Sequence, residues 1–297
     1  MRPRYLLRAL RLPFLSASLF PYAFGSFLAG RGFRPVLFLL GGVAVAGTHL
    51  SANVLNDYAD AKSGVDDQDD RYFGFFGGSK LIQAGVLSAA FYAAAALVLA
   101  AVAVAAVGAL AVLNNDAGIV SWYALVLLLG WAYSAEPLRL SYRCLGEVVV
   151  FLLFGPATVM GGYAIQTGIF PEFRVFLLSL PFGCLTAAIL LANEVPDAAD
   201  DRAAGKLTLV GAVGANRGYV LYAGASACAF ATIVVCFAFG HLGGLSMLSL
   251  VGLAPAAAAA SILRRRAGDK PGLVPASVLV LGVHSFVSVV LILDVLL

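Results

Sequence analysis

The sequence is poor in charged, sulfur-containing and imidazole side chains. Only 12% of its 297 residues are Asp, Glu, Lys or Arg, about half the share that is usual in a soluble domain. The formal net charge of +3 is too small to indicate binding to nucleic acid. The four cysteines form no C-x-x-C pair, which argues against a zinc site or a disulfide framework. They are Cys144, Cys184, Cys228 and Cys236.

Long apolar stretches make up most of the chain. Hydrophobic residues account for 61% of it, and a bilayer core of about 30 Å needs roughly 20 apolar residues per helix. The sequence therefore predicts one all-α polytopic membrane domain over residues 1–297, with nine transmembrane helices in a bundle around a central cavity. The nine predicted spans are 13–30, 36–55, 88–113, 118–135, 147–167, 173–193, 217–240, 244–263 and 273–296.

The basic residues predict the orientation of these spans. With the N-terminus in the cytoplasm, the outer side receives only Arg31, Arg34 and Arg174, and the cytoplasmic segments receive the other 16 of the 19 Lys and Arg residues. Such a bias follows the positive-inside rule. We therefore expect an integral protein of the cell membrane, with its N-terminus in the cytoplasm and its C-terminus outside.

The acidic residues are concentrated after the second and sixth spans, on the predicted cytoplasmic side. Segment 57–70 holds six of the 16 Asp and Glu residues, and segment 194–201 holds four. Carboxylates at the end of a membrane helix are costly and usually functional. We therefore place the active site at this cytoplasmic end of the bundle.

The spacing within the two segments indicates a metal-dependent site. Asn53, Asn56, Asp57 and Asp60 share one helical face if the second span extends that far, and Asn193, Asp197 and Asp201 form a similar stripe. Pro196 should kink the helix near the second stripe. Oxygen ligands without His or Cys suit Mg²⁺ rather than zinc, and two facing clusters suggest a diphosphate held between them by metal bridges.

The two motifs also resemble each other. Residues 56–60 (NDYAD) and 193–197 (NEVPD) share the pattern N-[DE]-x-x-D and lie four spans apart. This spacing gives both motifs the same orientation. It suggests an internal repeat of helices 1–4 and 5–8, with a ninth helix added.

These motifs resemble a known family. Residues 53–60 (NVLNDYAD), with Asp66 beyond them, and residues 193–208 (NEVPDAADDRAAGKLT) are similar to the two Asp-rich motifs of the UbiA superfamily of intramembrane prenyltransferases. Residues 77–85, 133–147 and 154–168 resemble segments of its 1,4-dihydroxy-2-naphthoate branch, which acts in menaquinone biosynthesis. The resemblance runs from about Arg11 to Gly214. Many branch members carry N-N-x-R-D where this chain has NEVPD, so an arginine is missing and a carboxylate is gained.

The resemblance implies transfer of a polyprenyl group from its diphosphate to an aromatic acceptor. Asp57, Asp60, Asp197 and Asp201 are the expected catalytic residues, and with Asp66 they are the expected Mg²⁺ ligands. Tyr58, Tyr133 and Tyr142 are candidates to flank the allylic cation. The histidines are expected to pack inside the bundle and are assigned no role. The residues expected to contact the diphosphate are Asn53, Asn56, Lys80, Arg139, Arg143, Asn193, Arg202 and Lys206.

Three other functions are compatible with the sequence. Another UbiA-type enzyme would prenylate 4-hydroxybenzoate or a glycerol-phosphate lipid. A cation transporter would need polar groups through the depth of the membrane, whereas the acids here cluster at one surface. A binding or assembly protein could retain the fold without activity, although both motifs are intact. For the reaction that the resemblance implies, the expected partners are a polyprenyl diphosphate, an aromatic acceptor and the lipid bilayer.

Overall fold

The structure is a computed structural model that describes residues 3–64 and 71–297. Regular structure in these ranges is helical, apart from one isolated β-bridge between Arg143 and Leu207. The α-helices are α1 (Pro3–Ala9), α2 (Ser16–Phe27), α3 (Pro35–Ser63), α4 (Ala89–Asn114), α5 (Gly118–Ser134), α6 (Gly146–Leu152), α7 (Thr158–Thr167), α8 (Phe173–Ala203), α9 (Leu209–Val213), α10 (Ala215–Ala238), α11 (Leu253–Arg265) and α12 (Lys270–Leu296). Short 3₁₀ turns occupy Leu12–Leu15, Gly30–Gly32, Leu140–Tyr142 and Gly244–Gly252, and a π-helical turn at Leu153–Ala157 joins α6 to α7.

Seven helical stretches of the described residues are long and apolar enough to cross a membrane. They confirm a polytopic, all-α membrane protein. The predicted count of nine is not confirmed, because two predicted spans correspond to shorter helices. Helix α2 has 12 residues and α5 has 17, or about 18 Å and 26 Å at 1.5 Å per residue, against a bilayer core of about 30 Å. The seven stretches are Pro35–Ser63, Ala89–Asn114, Gly146–Thr167, Phe173–Ala203, Ala215–Ala238, Gly244–Arg265 and Lys270–Leu296.

Helices α3 and α8 extend further than the apolar pattern predicts. Helix α3 continues to Ser63 and ends at Gly64, whose φ of +78° is the left-handed conformation typical of a helix C-terminus. Helix α8 continues past Pro196 to Ala203. Both Asp-rich motifs are therefore helical, and each occupies the last turns of its helix.

Helix α8 lies at the centre of the bundle. Its apolar window is 78% buried, whereas those of α3 and α4 are each 28% buried. Close backbone contacts hold α8 in place: a Cβ on Gly155 would lie 2.7 Å from the Cα of Gly183. Small residues allow membrane helices to approach in this way. The second motif is thus carried by the most enclosed helix among the described residues.

The connections on the side of the motifs are joined to each other. The Cys144 N–H donates to the Leu207 carbonyl at 2.8 Å, and the Leu207 N–H donates to the Tyr142 carbonyl at 3.3 Å. The Leu209 N–H donates to the Glu147 carboxylate at 2.8 Å. These bonds fix the segment after α8 against the segment before α6, which brings Lys206 close to Tyr142.

Candidate active site

The two Asp-rich motifs line a single chamber of about 240 Å³ at the end of the bundle where α3 and α8 terminate. Residues from α5, α6, α12 and the segment 71–80 complete its wall. The structure therefore brings the motifs together on one side of the protein. The charged residues in the lining are Arg11, Asp60, Arg71, Lys80, Glu194, Asp197, Asp200, Asp201, Lys206 and Lys270.

In the first motif, Asp60 faces the chamber and is fixed by two side chains. The Asn56 amide donates to Oδ2 of Asp60 at 3.0 Å, and the Tyr142 hydroxyl donates to Oδ1 at 3.2 Å. Ser134, on α5, donates in turn to the Asn56 amide oxygen at 3.0 Å. Burial, and then the negative charge of Asp60, raise the pKa of Tyr142, so the phenol keeps the proton that it donates.

Asp57 occupies a different position from the one that the sequence predicts for a metal ligand. It is 2% exposed and is not among the residues that line the chamber. Its Oδ2 accepts the Ser79 N–H at 3.1 Å, and its Oδ1 lies 3.6 Å from the Arg11 guanidinium. In this structure Asp57 holds the backbone of residues 77–80, the covering segment, which forms part of the chamber wall.

The second motif is attached to the same covering segment. Asp197 accepts the Gly77 N–H at 3.0 Å, two residues from the Ser79 N–H that Asp57 accepts. Gly77 and Gly78 both have φ of +71° and Lys80 has φ of +57°, a backbone conformation that favours glycine at the first two positions. The segment GGSK (77–80) therefore bridges the two motifs through its backbone.

Lys206 forms an ion pair with the second motif. Its ammonium lies 3.4 Å from Asp201, which is itself 3% exposed. Burial alone lowers the pKa of Lys206, but the carboxylates of Asp60 and Asp201 outweigh it and hold the pKa well above its ordinary value. Lys206 therefore carries a full positive charge into the chamber at neutral pH.

Eight of the residues predicted to bind the metal or the diphosphate line the chamber: Asn53, Asn56, Asp60, Lys80, Asn193, Asp197, Asp201 and Lys206. Three predicted arginines do not. Arg139 pairs with Glu136 at 3.4 Å, Arg143 donates to the Pro137 carbonyl at 3.3 Å, and Arg202 donates to the Gly211 carbonyl. Asp66 lies outside the described residues.

The structure adds three cations that sequence reasoning counted only as part of the positive-inside bias. Arg11 precedes the first predicted span, Arg71 follows the first motif, and Lys270 begins α12. Lys270 binds Asp200 at 2.5 Å. Its position before a predicted span at the motif side was visible in the sequence, but its distance of 70 residues from Asp200 hid the contact.

A second, largely apolar cavity of about 600 Å³ adjoins the chamber. The two cavities share five lining residues: His49, Ala52, Gly130, Leu153 and Phe154. The apolar cavity lies between α2, α3, α5 and the α6–α7 stretch. The protein therefore offers a charged compartment and an adjacent apolar compartment to one ligand.

The predicted aromatic residues have different positions. Tyr133 lines the chamber, whereas Tyr142 is outside the lining and contacts the lining residues Asp60 and Lys206. Tyr58 packs against the apolar cluster that contains Ala9 and Val54. Only Tyr133 is therefore placed to flank a bound group directly.

The donor set of the chamber suits a hard cation. Among the described residues no three or more His, Cys, Asp and Glu side chains converge closely enough to enclose a metal ion. Asp60, Asp197 and Asp201 nevertheless supply carboxylate oxygens to one chamber. Mg²⁺ commonly takes one or two carboxylates and completes its shell with water and substrate phosphate, so these residues fit Mg²⁺ together with a phosphorylated ligand.

Known structures show the same fold. A UbiA homolog from Aeropyrum pernix K1 superposes with a TM-score of 0.75 at 17% identity, covering 94% of this chain and 97% of that one. A UbiA homolog from Archaeoglobus fulgidus bound to DMAPP and Mg²⁺ gives 0.65 at 18% identity, covering 96% and 98%. At these identities the likeness concerns the fold alone.

Sequence relatives show the family. The mouse UbiA prenyltransferase domain-containing protein 1 is 34% identical over 234 residues, covering 72% of this chain and 62% of the mouse protein. Its fruit fly homolog is 32% identical, covering 75% and 62%. The chain thus spans about 62% of the length of these relatives, which are not specifically of the naphthoate branch. The profile of the UbiA prenyltransferase family matches residues 18–282, and the chain therefore belongs to that family.

Proposed function

We propose that this protein is a Mg²⁺-dependent membrane prenyltransferase that moves a prenyl group from its diphosphate to an aromatic acceptor. The observation that carries the proposal is that two neighbouring compartments share lining residues. One is lined by both Asp-rich motifs and by cations, and the other is apolar and about 600 Å³ in volume. A prenyl diphosphate has the same two parts, and the structure known from Archaeoglobus fulgidus is bound to DMAPP and Mg²⁺.

The charge balance of the chamber supports a metal. Its described lining carries five basic and five acidic side chains, so these charges cancel before a ligand enters. A diphosphate then adds several negative charges to a site with little water, which is costly unless cations accompany it. We propose that Asp60, Asp197 and Asp201 hold Mg²⁺, and that Asp57 supports the covering segment instead.

Several groups in the chamber stabilise the charges that form when the substrate ionises. Bound Mg²⁺ supplies positive charge that stabilises the leaving diphosphate. Lys80 and Lys206 contribute fixed positive charges to the same oxygens. Tyr133 presents its ring to the allylic cation. Because these groups are held before the substrate binds, they need little rearrangement when the C–O bond breaks.

The apolar cavity holds the prenyl tail. Its lining includes Ala44, Val45 and Ile165, which exclude water from the path of the cation. We propose that the allylic carbon lies near His49 and Phe154, which line both cavities. An electron-rich ring carbon of the acceptor attacks there, and the proton or carboxyl group of that carbon leaves.

The identity of the acceptor is inferred from sequence segments. Those resembling the naphthoate branch favour 1,4-dihydroxy-2-naphthoate, with 4-hydroxybenzoate and glycerol-phosphate lipids as alternatives. The second motif departs from that branch at Glu194, which lines the chamber and is 6% exposed.

We propose that this site lies at one surface of the membrane. We propose that α2 and α5 complete nine spans together with the seven long helical stretches. The basic residues then put the chamber on the cytoplasmic side of the cell membrane. Cysteine accessibility labelling from each side of sealed vesicles tests this orientation, and labelling of a chamber-side loop from the outer face would contradict it.

An assay of the purified protein tests the reaction. Prenyl diphosphates of several lengths are supplied with a panel of aromatic and lipid acceptors, with Mg²⁺ or with a chelator. We expect a prenylated acceptor and released diphosphate only in the presence of Mg²⁺. Folded protein that prenylates none of the acceptors and does not bind a prenyl diphosphate would refute the proposal.

A further inference from the structure

Helix α12 is joined to α8 by three polar pairs along one face. The pairs are Lys270–Asp200 at 2.5 Å, Ser277–Asn193 at 3.1 Å and His284–Thr186 at 3.3 Å. Successive members are seven residues apart on both helices, which is close to two helical turns, so each set lies on one face. The α8 members all line the chamber. Helix α12 therefore contacts the chamber wall from behind.

The central pair fixes the direction of a motif side chain. Ser277 is 5% exposed, and its hydroxyl donates to the amide oxygen of Asn193. The oxygen and nitrogen of an amide point in different directions from the same carbon. Holding the oxygen on the α12 side therefore directs the amide NH₂ of Asn193 away from α12, toward the chamber that Asn193 lines.

The first motif has the same arrangement in an independent place. The oxygen of Asn56 accepts from Ser134, on α5, while its NH₂ donates to Asp60. A carboxylate only accepts hydrogen bonds, so the nitrogen of Asn56 must face Asp60 and its oxygen must face Ser134. The first residue of each N-[DE]-x-x-D motif thus has its amide oxygen occupied by a serine from another helix.

We propose that Ser277 is a positioning residue that makes Asn193 a hydrogen-bond donor to the diphosphate of the substrate rather than a ligand of the metal. The inference rests on the proposed function. An Asn ligates a metal through its oxygen, and that oxygen is held on α12. The NH₂ group is left to donate to phosphate oxygens, which are strong acceptors.

The serine is tested by the affinity for a non-reactive prenyl thiolodiphosphate at saturating Mg²⁺. We expect Ser277→Ala to weaken binding about 2- to 12-fold, the range for one neutral hydrogen bond. Ser277→Thr keeps the hydroxyl and should retain the affinity. Ser288→Ala is the matched control, because Ser288 lies on the same helix, is 0% exposed, and has no hydrogen-bond partner among the described residues. It should leave the affinity unchanged.

A double-mutant cycle distinguishes positioning from a general structural effect. In an Asn193→Ala background, Ser277→Ala should produce no further loss of affinity, because the group it orients is already absent. A full additional loss in that background would overturn the proposal. Wild-type affinity of Ser277→Ala in the wild-type background would also overturn it.

The role of the Asn193 nitrogen is tested by Asn193→Asp, which keeps the size of the side chain and replaces the donor with an acceptor. We expect weaker binding of the thiolodiphosphate at saturating Mg²⁺, and we expect that the half-saturating Mg²⁺ concentration does not fall. Wild-type affinity with tighter Mg²⁺ would show a metal ligand and overturn the inference. If wild-type protein binds no prenyl diphosphate, the proposed function fails; if it binds and transfers normally while Ser277→Ala is unaffected, only this inference fails.

Discussion

The position of Asp57 leads to a prediction on which the structure and the sequence pattern differ. The pattern treats Asp57 and Asp60 alike, as metal ligands. The structure places Asp60 in the chamber wall and attaches Asp57 to Ser79 and Arg11 instead. Substitution of each aspartate by Asn and by Ala should therefore have different consequences at the two sites.

The magnitude for Asp57 follows from the contacts it makes. A hydrogen bond to a charged group contributes about 1.5–3 kcal/mol, and a neutral one about 0.5–1.5 kcal/mol. In Asp57→Asn the amide oxygen still accepts the Ser79 N–H, so about 1–1.5 kcal/mol is lost, or about 5- to 12-fold in kcat/KM. Asp57→Ala removes the bond entirely and should cost about 12- to 150-fold.

Asp60 should respond differently because its carboxylate faces the ligand. Asp60→Asn removes charge from the proposed metal site, and we expect a loss greater than the 10- to 100-fold typical of outer-shell partners. Steady-state prenyl transfer at saturating Mg²⁺ measures both variants. If Asp57→Asn is as inactive as Asp60→Asn, the assignment of Asp57 to the covering segment is wrong.

The remaining predictions concern the ion pair, the apolar cavity and the excluded arginines. Lys206→Met should lower the melting temperature in detergent, because breaking a buried pair costs about 3–5 kcal/mol. The raised pKa of Lys206 keeps its contribution to stability fully present below the ordinary lysine pKa, and the contribution is lost only as the pH rises through the raised value, so the drop in melting temperature should still be present at ~pH 9; a variant that melts with the wild type at ~pH 9 would contradict this. Gly161→Phe adds a ring beside Trp122 in the apolar cavity. It should weaken the binding of long prenyl diphosphates relative to the shortest by about 5- to 150-fold, since overpacking costs about 1–3 kcal/mol. Gly224→Phe, at a position with open space, should not have this effect, and equal effects of the two variants would rule out this cavity as the tail site. Arg143→Gln should change diphosphate affinity by less than about twofold, as for an exposed site, and Lys80→Gln by about 12- to 150-fold; the reverse order would show that the diphosphate lies outside the chamber.

Much of the fold could be predicted because the bilayer imposes one strong rule. Apolar runs of about 20 residues must be helical in lipid, so the seven long stretches were visible in the sequence. The count of nine is not confirmed at α2 and α5, because hydropathy does not show where a helix ends. Helix α2 follows a 3₁₀ turn at Leu12–Leu15 and stops at Phe27.

The candidate site was predictable only where its residues are carried by the motifs themselves. Helical spacing placed Asn56 and Asp60 on one face, and α3 does extend through both. The cations were harder, because long side chains reach in directions that sequence separation does not show. Arg202 adjoins Asp201 in sequence yet binds the Gly211 carbonyl, whereas Lys270 is distant in sequence and lines the chamber.

The two N-[DE]-x-x-D motifs show which positions of the proposed repeat have kept one role. Their first residues both have an amide oxygen bound by a serine, and their last residues, Asp60 and Asp197, both line the chamber. Their second residues differ, because Asp57 supports the covering segment and Glu194 lines the wall. The two motifs agree at three of five positions, with Asp and Glu counted as alike, and both first residues make the same kind of amide contact on separate helices. We propose that the shared contact reflects a duplication in which the second position took a different partner in each half.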